Sequence, residues 1–129
     1  MINYKVPLNR ARQNAWIKAN VLSREEMEKP GFRLSLEKNH WIFIKTLQHD
    51  NICGTDYDTS LNITINCKNN RIRIDVMDEL WLQPYNYQTI LRIVPDHEYA
   101  LDIHNKVQAE MKRLIDLGII TGYTLGDYI

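Results

Sequence analysis

Apolar and polar residues alternate most cleanly over positions 61–67, where Leu61, Ile63, Ile65 and Cys67 are separated by Asn62, Thr64 and Asn66. A period of two marks a half-buried β-strand. Lys68-Asn69-Asn70 predicts a turn, since Asn tolerates positive φ. The return strand then places Ile72, Ile74 and Val76 on one face and Arg71, Arg73 and Asp75 on the other. Upstream, Phe32, Leu34 and Leu36 alternate with Arg33, Ser35 and Glu37, and Lys38-Asn39 reads as a turn into a strand over His40–Leu47. This strand is apolar on both sides, Trp41 and Phe43 one way and Ile42 and Ile44 the other. Such a strand is expected to be central and covered on both faces. The amino-terminal segment or a partner chain is the expected cover for Trp41 and Phe43. Between the hairpins, Gln48 to Ser60 is polar and reads as a loop.

The last third has helical periodicity. Asn86 is placed to cap a short helix whose Tyr87, Ile90, Leu91 and Val94 recur at i, i+3, i+4 and i+7, and Pro95 ends it. A longer helix is predicted from Asp96 to about Leu117. Its stripe is Ala100, Ile103, Val107, Met111 and Leu114, with Gly118 after the last turn. Asp102–Lys106, Lys106–Glu110 and Lys112–Asp116 are spaced for ion pairs on its outer side. Ile119, Ile120 and Tyr123 suit an edge strand. Ser23-Arg24-Glu25-Glu26 has the form of a capping box opening a short helical turn that Pro30-Gly31 stops. Leu8, Ala11, Ala15 and Ala19 fall at helical spacing, but Asn14 and Asn20 oppose it, so residues 8–22 stay between a helix and an extended segment. The fold class is α+β: a four-stranded antiparallel sheet of two hairpins, then two C-terminal helices, with an N-terminal helix left open.

The 129 residues suit a single domain, 1–129, with no repeat or linker composition. No apolar run approaches the roughly 20 residues of a membrane span, and residues 1–12 lack a secretory apolar block. A cytoplasmic location follows as the expectation, with Cys53 and Cys67 as reduced thiols, buried or half-buried. Formal charge is zero, but unevenly distributed. Residues 1–24 hold Lys5, Arg10, Arg12, Lys18 and Arg24 with no acid, a net of +5, so the remainder nets −5. Asp75, Asp78, Glu79, Asp96, Glu98 and Asp102 face only Arg92 within 75–104. Zero net charge disfavours nucleic acid as a partner, because counterion release needs an excess of cations. The polarity is compatible with a homo-oligomer in which one copy's basic segment meets another's acidic region.

Catalytic chemistry is thinly represented. His49-Asp50 with Cys53 is the one group resembling a nucleophile with a base, and it lacks a framing motif; a solvated loop is the plainer account. His97 and His104 share a helix face but lie roughly 10 Å apart, too far to chelate one ion. The chain has no GxGxxG, GxxxxGK[ST] or GxSxG. No metal or cofactor is expected, and an enzyme is the lesser reading.

Binding features are better represented. Arg10 and Arg12 with Trp16 would make a basic, aromatic patch. Arg71 and Arg73 cluster with Asn62, Thr64 and Asn66 on the solvent face of the sheet, a patch suited to an anion. Trp81, Tyr85 and Tyr87 flank Pro84 in the connection between sheet and helices, a composition found at interfaces and also in core plugs.

Three stretches, Arg73-Ile74-Asp75-Val76-Met77-Asp78, Gln83-Pro84-Tyr85-Asn86-Tyr87-Gln88 and Pro95-Asp96-His97-Glu98-Tyr99-Ala100-Leu101, resemble small uncharacterised phage and prophage proteins of Gram-positive bacteria. The resemblance implies a phage accessory protein, a class that includes inhibitors of host nucleases and sponges for defence signals, and it carries over no site residue. The expected function is therefore non-enzymatic binding that inhibits or modulates a host or defence protein. Sequestration of a nucleotide-like anion by Arg71 and Arg73 with Trp81 or Tyr85 is the alternative. A small enzyme using His49, Asp50 and Cys53 comes next, and nucleic-acid binding through residues 5–24 last.

Overall fold

The computed structural model describes residues 16–129; Arg10, Arg12 and the start of the predicted N-terminal helix lie outside them. The elements are β1 (Lys18–Ala19), α1 (Arg24–Glu28), β2 (Arg33–Leu34), β3 (His40–Ile52), β4 (Thr55–Asn66), β5 (Ile72–Asp78), β6 (Gln83–Pro84), α2 (Tyr87–Ile93), α3 (Glu98–Asp116) and β7 (Ile120–Thr121). Strands β2-β3-β4-β5-β6 form one antiparallel sheet in chain order, and β1 pairs with β7 in a separate two-stranded ladder. The class is α+β, as the periodicities imply. The four expected strands are present, and β6 extends the sheet by one short edge.

One face of the sheet is dry. Register aligns Trp41 with Ile65 and Phe43 with Ile63, then Ile63 with Ile74 and Leu61 with Val76, and all seven are buried. The predicted helical stripe meets this face: Ala100, Ile103, Val107, Met111 and Leu114 are each fully buried. Among the described residues, Phe43 is covered by Phe32 and Arg113 rather than by an amino-terminal helix. Phe32 packs on it with ring centroids 5.2 Å apart, and the α3 guanidinium of Arg113 lies 5.8 Å from its centroid. The opposite face is open, with Ile44 at 64% exposure, so β3 is covered on one side only. Its second apolar row is partly a surface row.

The expected loop over 48–60 is instead the far half of a long hairpin. β3 and β4 stay paired to Ile52↔Thr55, closed by Cys53 and Gly54, both at positive φ (51° and 82°). Positive φ at both central residues is the type I′ geometry, whose twist matches the strands it joins. The segment is polar because this ribbon extends past the core, so the pattern that marks a half-buried strand is missing. Both cysteines are exposed: Cys53 at this tip and Cys67 in the next turn.

Local chemistry explains the element ends. The Ser23 hydroxyl caps α1 by accepting from Glu26 N, and His97 Nδ1 caps α3 by accepting from Ala100 N at 3.1 Å. Asn86 occupies the cap position of α2 without a side-chain capping bond, and Val94, the C-cap with non-helical backbone before Pro95, is exposed rather than packed. Asp102–Lys106 and Lys112–Asp116 pair at 3.0 and 2.7 Å. Glu110 turns to Arg113 at 2.7 Å instead of Lys106. Leu36 is fully exposed, because Ser35 to His40 is a tight turn and β2 spans only two residues. Ala19 lies in a strand, so the helix left open over residues 8–22 does not extend to it. The β1–β7 approach is close: Gly122, at φ 80°, has no room for a Cβ against the Trp16 carbonyl.

One-sided covering makes a direct prediction. Ile63→Ala on the dry face will cost about 3 kcal/mol, the lost transfer energy plus a cavity. Ile44→Ala on the open face will stay within about 0.5 kcal/mol. Denaturant melts of the two variants check this, and equal losses would mean that the outer face is also packed.

Candidate functional site

A single irregularity in β3 builds the most distinctive hollow of the molecule. Pairing runs in step to Thr46↔Ser60 and resumes at Gln48↔Thr59, leaving Leu47 as the extra residue of a β-bulge. Before the bulge the odd positions Trp41 and Phe43 face the core. After it the even positions do: Gln48 Nε2 donates to Asp102 Oδ2 on α3 at 2.7 Å, and Asp50 and Ile52 follow on the same side. Strand β4 keeps its parity, so Tyr57 and Thr59 join them. Thr59 Oγ1 is 2.7 Å from the Tyr99 hydroxyl at the start of α3.

The third wall comes from the β5–β6 connection. Asp78 Oδ1 accepts from the backbone N–H groups of Leu80 and Trp81 at 3.0 and 3.3 Å, and Leu82 closes the turn at φ 52°. The short β6 pairing then returns Tyr85 beside Val76, its N–H donating to the Val76 carbonyl at 2.8 Å. Its ring meets Tyr99 edge-on, 5.6 Å between centroids. The result is a cleft of about 330 Å³ lined by Asp50, Ile52, Tyr57, Asp58, Thr59, Asp78, Tyr85 and Tyr99.

The electrostatics of this cleft have one sign. Burial pushes the Tyr85 phenol up to about 12, with Tyr99 and Asp78 adding to it. Tyr99 is raised as well, chiefly by burial and further by Asp50, Asp78 and Asp102, against a lowering bond from Thr59. Both phenols therefore stay protonated, and the cleft presents aromatic rings beside carboxylates. That combination suits a cation, through charge and through the ring faces. Among the described residues no three His, Cys, Asp or Glu side chains are grouped to hold a metal ion.

The sequence candidates fall in different places. Trp81 and Leu82 stand out from the turn at 65% and 76% exposure, beside the cleft. Tyr85 lines it. Tyr87 does not: it is core, 1% exposed, packed against His104 and Tyr128, with its hydroxyl accepting from Ile129 N at 3.2 Å. Arg71 and Arg73 lie at the far end of β5, in a shallow hollow with His40, Thr64 and Asn66, and Arg73 Nε is paired with Asp75 at 2.8 Å. Arg73 is on the open face and Tyr85 on the helix side, so the stacking site proposed for an anion is not assembled. Trp16 is exposed at the opposite end of the fold, near β7.

His49 and Cys53 do not form a nucleophile and base. Cys53 is at the hairpin tip, whereas His49 Nδ1 is held by Asp58 directly across the ladder, with Asp56 3.9 Å from Nε2. Tyr57 and Tyr99 were missed because the sequence shows no bulge; only the β-propensity of Thr55, Tyr57 and Thr59 hinted at strand. The chain has no helix long and apolar enough to cross a membrane among the described residues.

Comparison with known proteins adds a fold likeness. No family model matches the chain, and no curated protein does. A solved structure of similar fold is a DUF1831 family protein (lp2179) from Lactobacillus plantarum, at TM-score 0.62 and 11% identity, covering 94% of this chain and 98% of that one. At that identity the likeness concerns the fold alone.

Asp58, with help from Asp56 and Asp50, raises the His49 pKa above its usual 6.5. The pair therefore contributes below pH 6.5, and its contribution fades as pH rises through the folded-state midpoint. Histidine C–H shifts followed by NMR will place that midpoint above 6.5, and Asp58→Asn will lower it towards the usual value. An unchanged midpoint in the variant would remove Asp58 as the cause.

Proposed function

We propose that the protein is a non-enzymatic binding protein, and that the tyrosine–aspartate cleft with the adjoining Trp81–Leu82 turn holds a lysine or arginine side chain of a protein partner. The observation that carries this reading is the juxtaposition of exposed Ile52, Trp81 and Leu82 with Asp50 and Asp78 around tyrosine rings. Large exposed apolar residues next to a concave charged site are what an anchored interface uses: the apolar rim excludes water, and the cation pairs inside. Tyrosine adds contact area at a small entropy cost. The resemblance to phage and prophage proteins makes a host or defence protein the first partner class to screen, with inhibition as the expected consequence.

A second copy of the chain also carries suitable cations within residues 1–24. The hollow around Arg71 and His40, about 450 Å³ and open, supports the anion-binding alternative in a reduced form, without an aromatic stack.

Fluorescence anisotropy against peptides carrying arginine or lysine beside an apolar residue is the test. Trp81→Ala will weaken binding tenfold or more, the loss typical of a central aromatic anchor. Asp50→Asn will weaken it and flatten its salt dependence. Arg73→Ala will leave it unchanged. Binding that ignores Trp81 and Asp50, or that accepts glutamate in place of the cation, sinks the reading. Dimerisation in a sedimentation run, abolished by Asp50→Asn, would identify the partner as a second copy.

A further inference from the structure

His104 is a histidine with no visible reason to be where it is. It sits on α3, fully buried, one position past the sheet-facing stripe. Among the described residues neither ring nitrogen has a hydrogen-bond partner, and the buried Tyr128 hydroxyl beside it has none either. Tyr128 meets the imidazole edge-on at 5.4 Å, and Tyr87 of α2 lies on its other side at 5.8 Å. Buried polar groups without partners are rare and call for an explanation.

The segment after α3 is what closes this site. Gly118 turns the chain at φ 80°, and residues 123–129 come back along the helix. Gln108 is the clasp. Its Oε1 accepts from the Tyr123 hydroxyl at 2.9 Å and from Gly126 N at 2.7 Å, while its Nε2 donates to the Asp127 carbonyl at 2.9 Å. Tyr128 then caps His104. These three bonds of Gln108 are neutral, so they do not themselves titrate near neutrality. The imidazole beneath the clasp is the group that takes up a proton in acid.

We propose that residues 123–129 are an acid-released latch, with the imidazole of His104 as its trigger. A neutral ring is tolerated between two tyrosines, but an imidazolium needs acceptors or water and finds only the Gly126 backbone nearby. Lifting Tyr128 lets water in. The surroundings offer the cation little else. Tyr87 faces it from α2 and Tyr128 from the tail, both uncharged. Arg92 of α2 is the charge that acts on Tyr128, and it is of the wrong sign to help. Gln108 on α3 is neutral, and the Asp127 contact nearby is through its carbonyl. The Gly126 backbone is the one group favouring the charged ring, and burial outweighs it, lowering the His104 pKa to about 4.

The direction follows from linkage. The released state, with an ordinary pKa of 6.5, binds the proton more tightly than the latched state, so acid favours release. Between pH 6.5 and 4 the ratio of released to latched chains rises about 80-fold, approaching tenfold per pH unit only in the middle of that range. Above 6.5 the latch no longer responds to pH.

NMR of the whole chain from pH 7.5 to 4 reads both sides of this switch. The ring C–H signals of His104 and the amide signals of residues 123–129 will move together, while amides of Leu61, Ile63 and Ile65 stay native-like. His104→Phe will hold the tail signals in place over that range. Tail signals that stay latched while His104 titrates, or that move equally in His104→Phe, would overturn the proposal. Should that variant not fold, Tyr128→Ala gives an independent reading, because uncovering the ring will carry its midpoint from about 4 towards 6.5. A midpoint that stays near 4 in Tyr128→Ala also overturns it.

Discussion

Docking of α3 on the dry face of the sheet is the contact from which the other features hang. Two hairpins alone would leave Trp41, Phe43, Leu61, Ile63, Ile65, Ile74 and Val76 in water, and such an assembly is marginal without a layer packed against it. The fully buried stripe of α3 supplies that layer. Other parts of the same helix do separate work. Arg113 reaches the Pro30 carbonyl at 3.2 Å and covers Phe43, tying α1 and β2 to the core. Gln108 gathers the C-terminal segment, and Asp102 meets the arm of the long hairpin. Few surfaces of this helix remain for solvent.

The parts of the fold with a regular apolar period were legible beforehand. Strands β4 and β5 and the stripe of α3 follow from spacing alone, because burial on one side imposes a period of two or 3.6. Legibility failed where burial does not impose a period. The far half of the β3–β4 hairpin is polar because solvent surrounds much of it. The bulge at Leu47 changes parity by one residue, and no residue type marks it. The sequence raises His104 only as a metal ligand and does not single out Gln108, because the stripe predicts only what faces the sheet. Burial of a second arc of α3 by the chain's own tail is a tertiary event, and its partners Tyr123 and Tyr128 lie far along the sequence.

The same contrast governs the candidate site. Composition marked the 80–87 connection as unusual, and the structure divides it by function of position: Tyr87 inward, Tyr85 at the cleft wall, Trp81 and Leu82 outward. Three aromatics close in sequence reach three environments because Asp78 and Leu82 turn the chain sharply between them. Asp50, Tyr57 and Asp58 come to the same cleft from another hairpin altogether. Charge patterning named the acidic region correctly, but it could not show that Asp75 and Asp102 are engaged locally while Asp50 and Asp78 line a hollow.

The two-residue ladder between β1 and β7 has a kinetic meaning. It is reinforced by Asn20 Nδ2 donating to the Gly118 carbonyl at 3.2 Å, a bond spanning 98 residues of chain. Closing so long a loop gains little until the intervening elements are already ordered. The hairpins, by contrast, assemble from neighbours. The ladder is thus placed among the last contacts to form and, with few bonds of its own, among the first to open during fluctuations of the folded molecule. Sequence neighbours build this protein, and the most distant pairing among the described residues serves as the final closure.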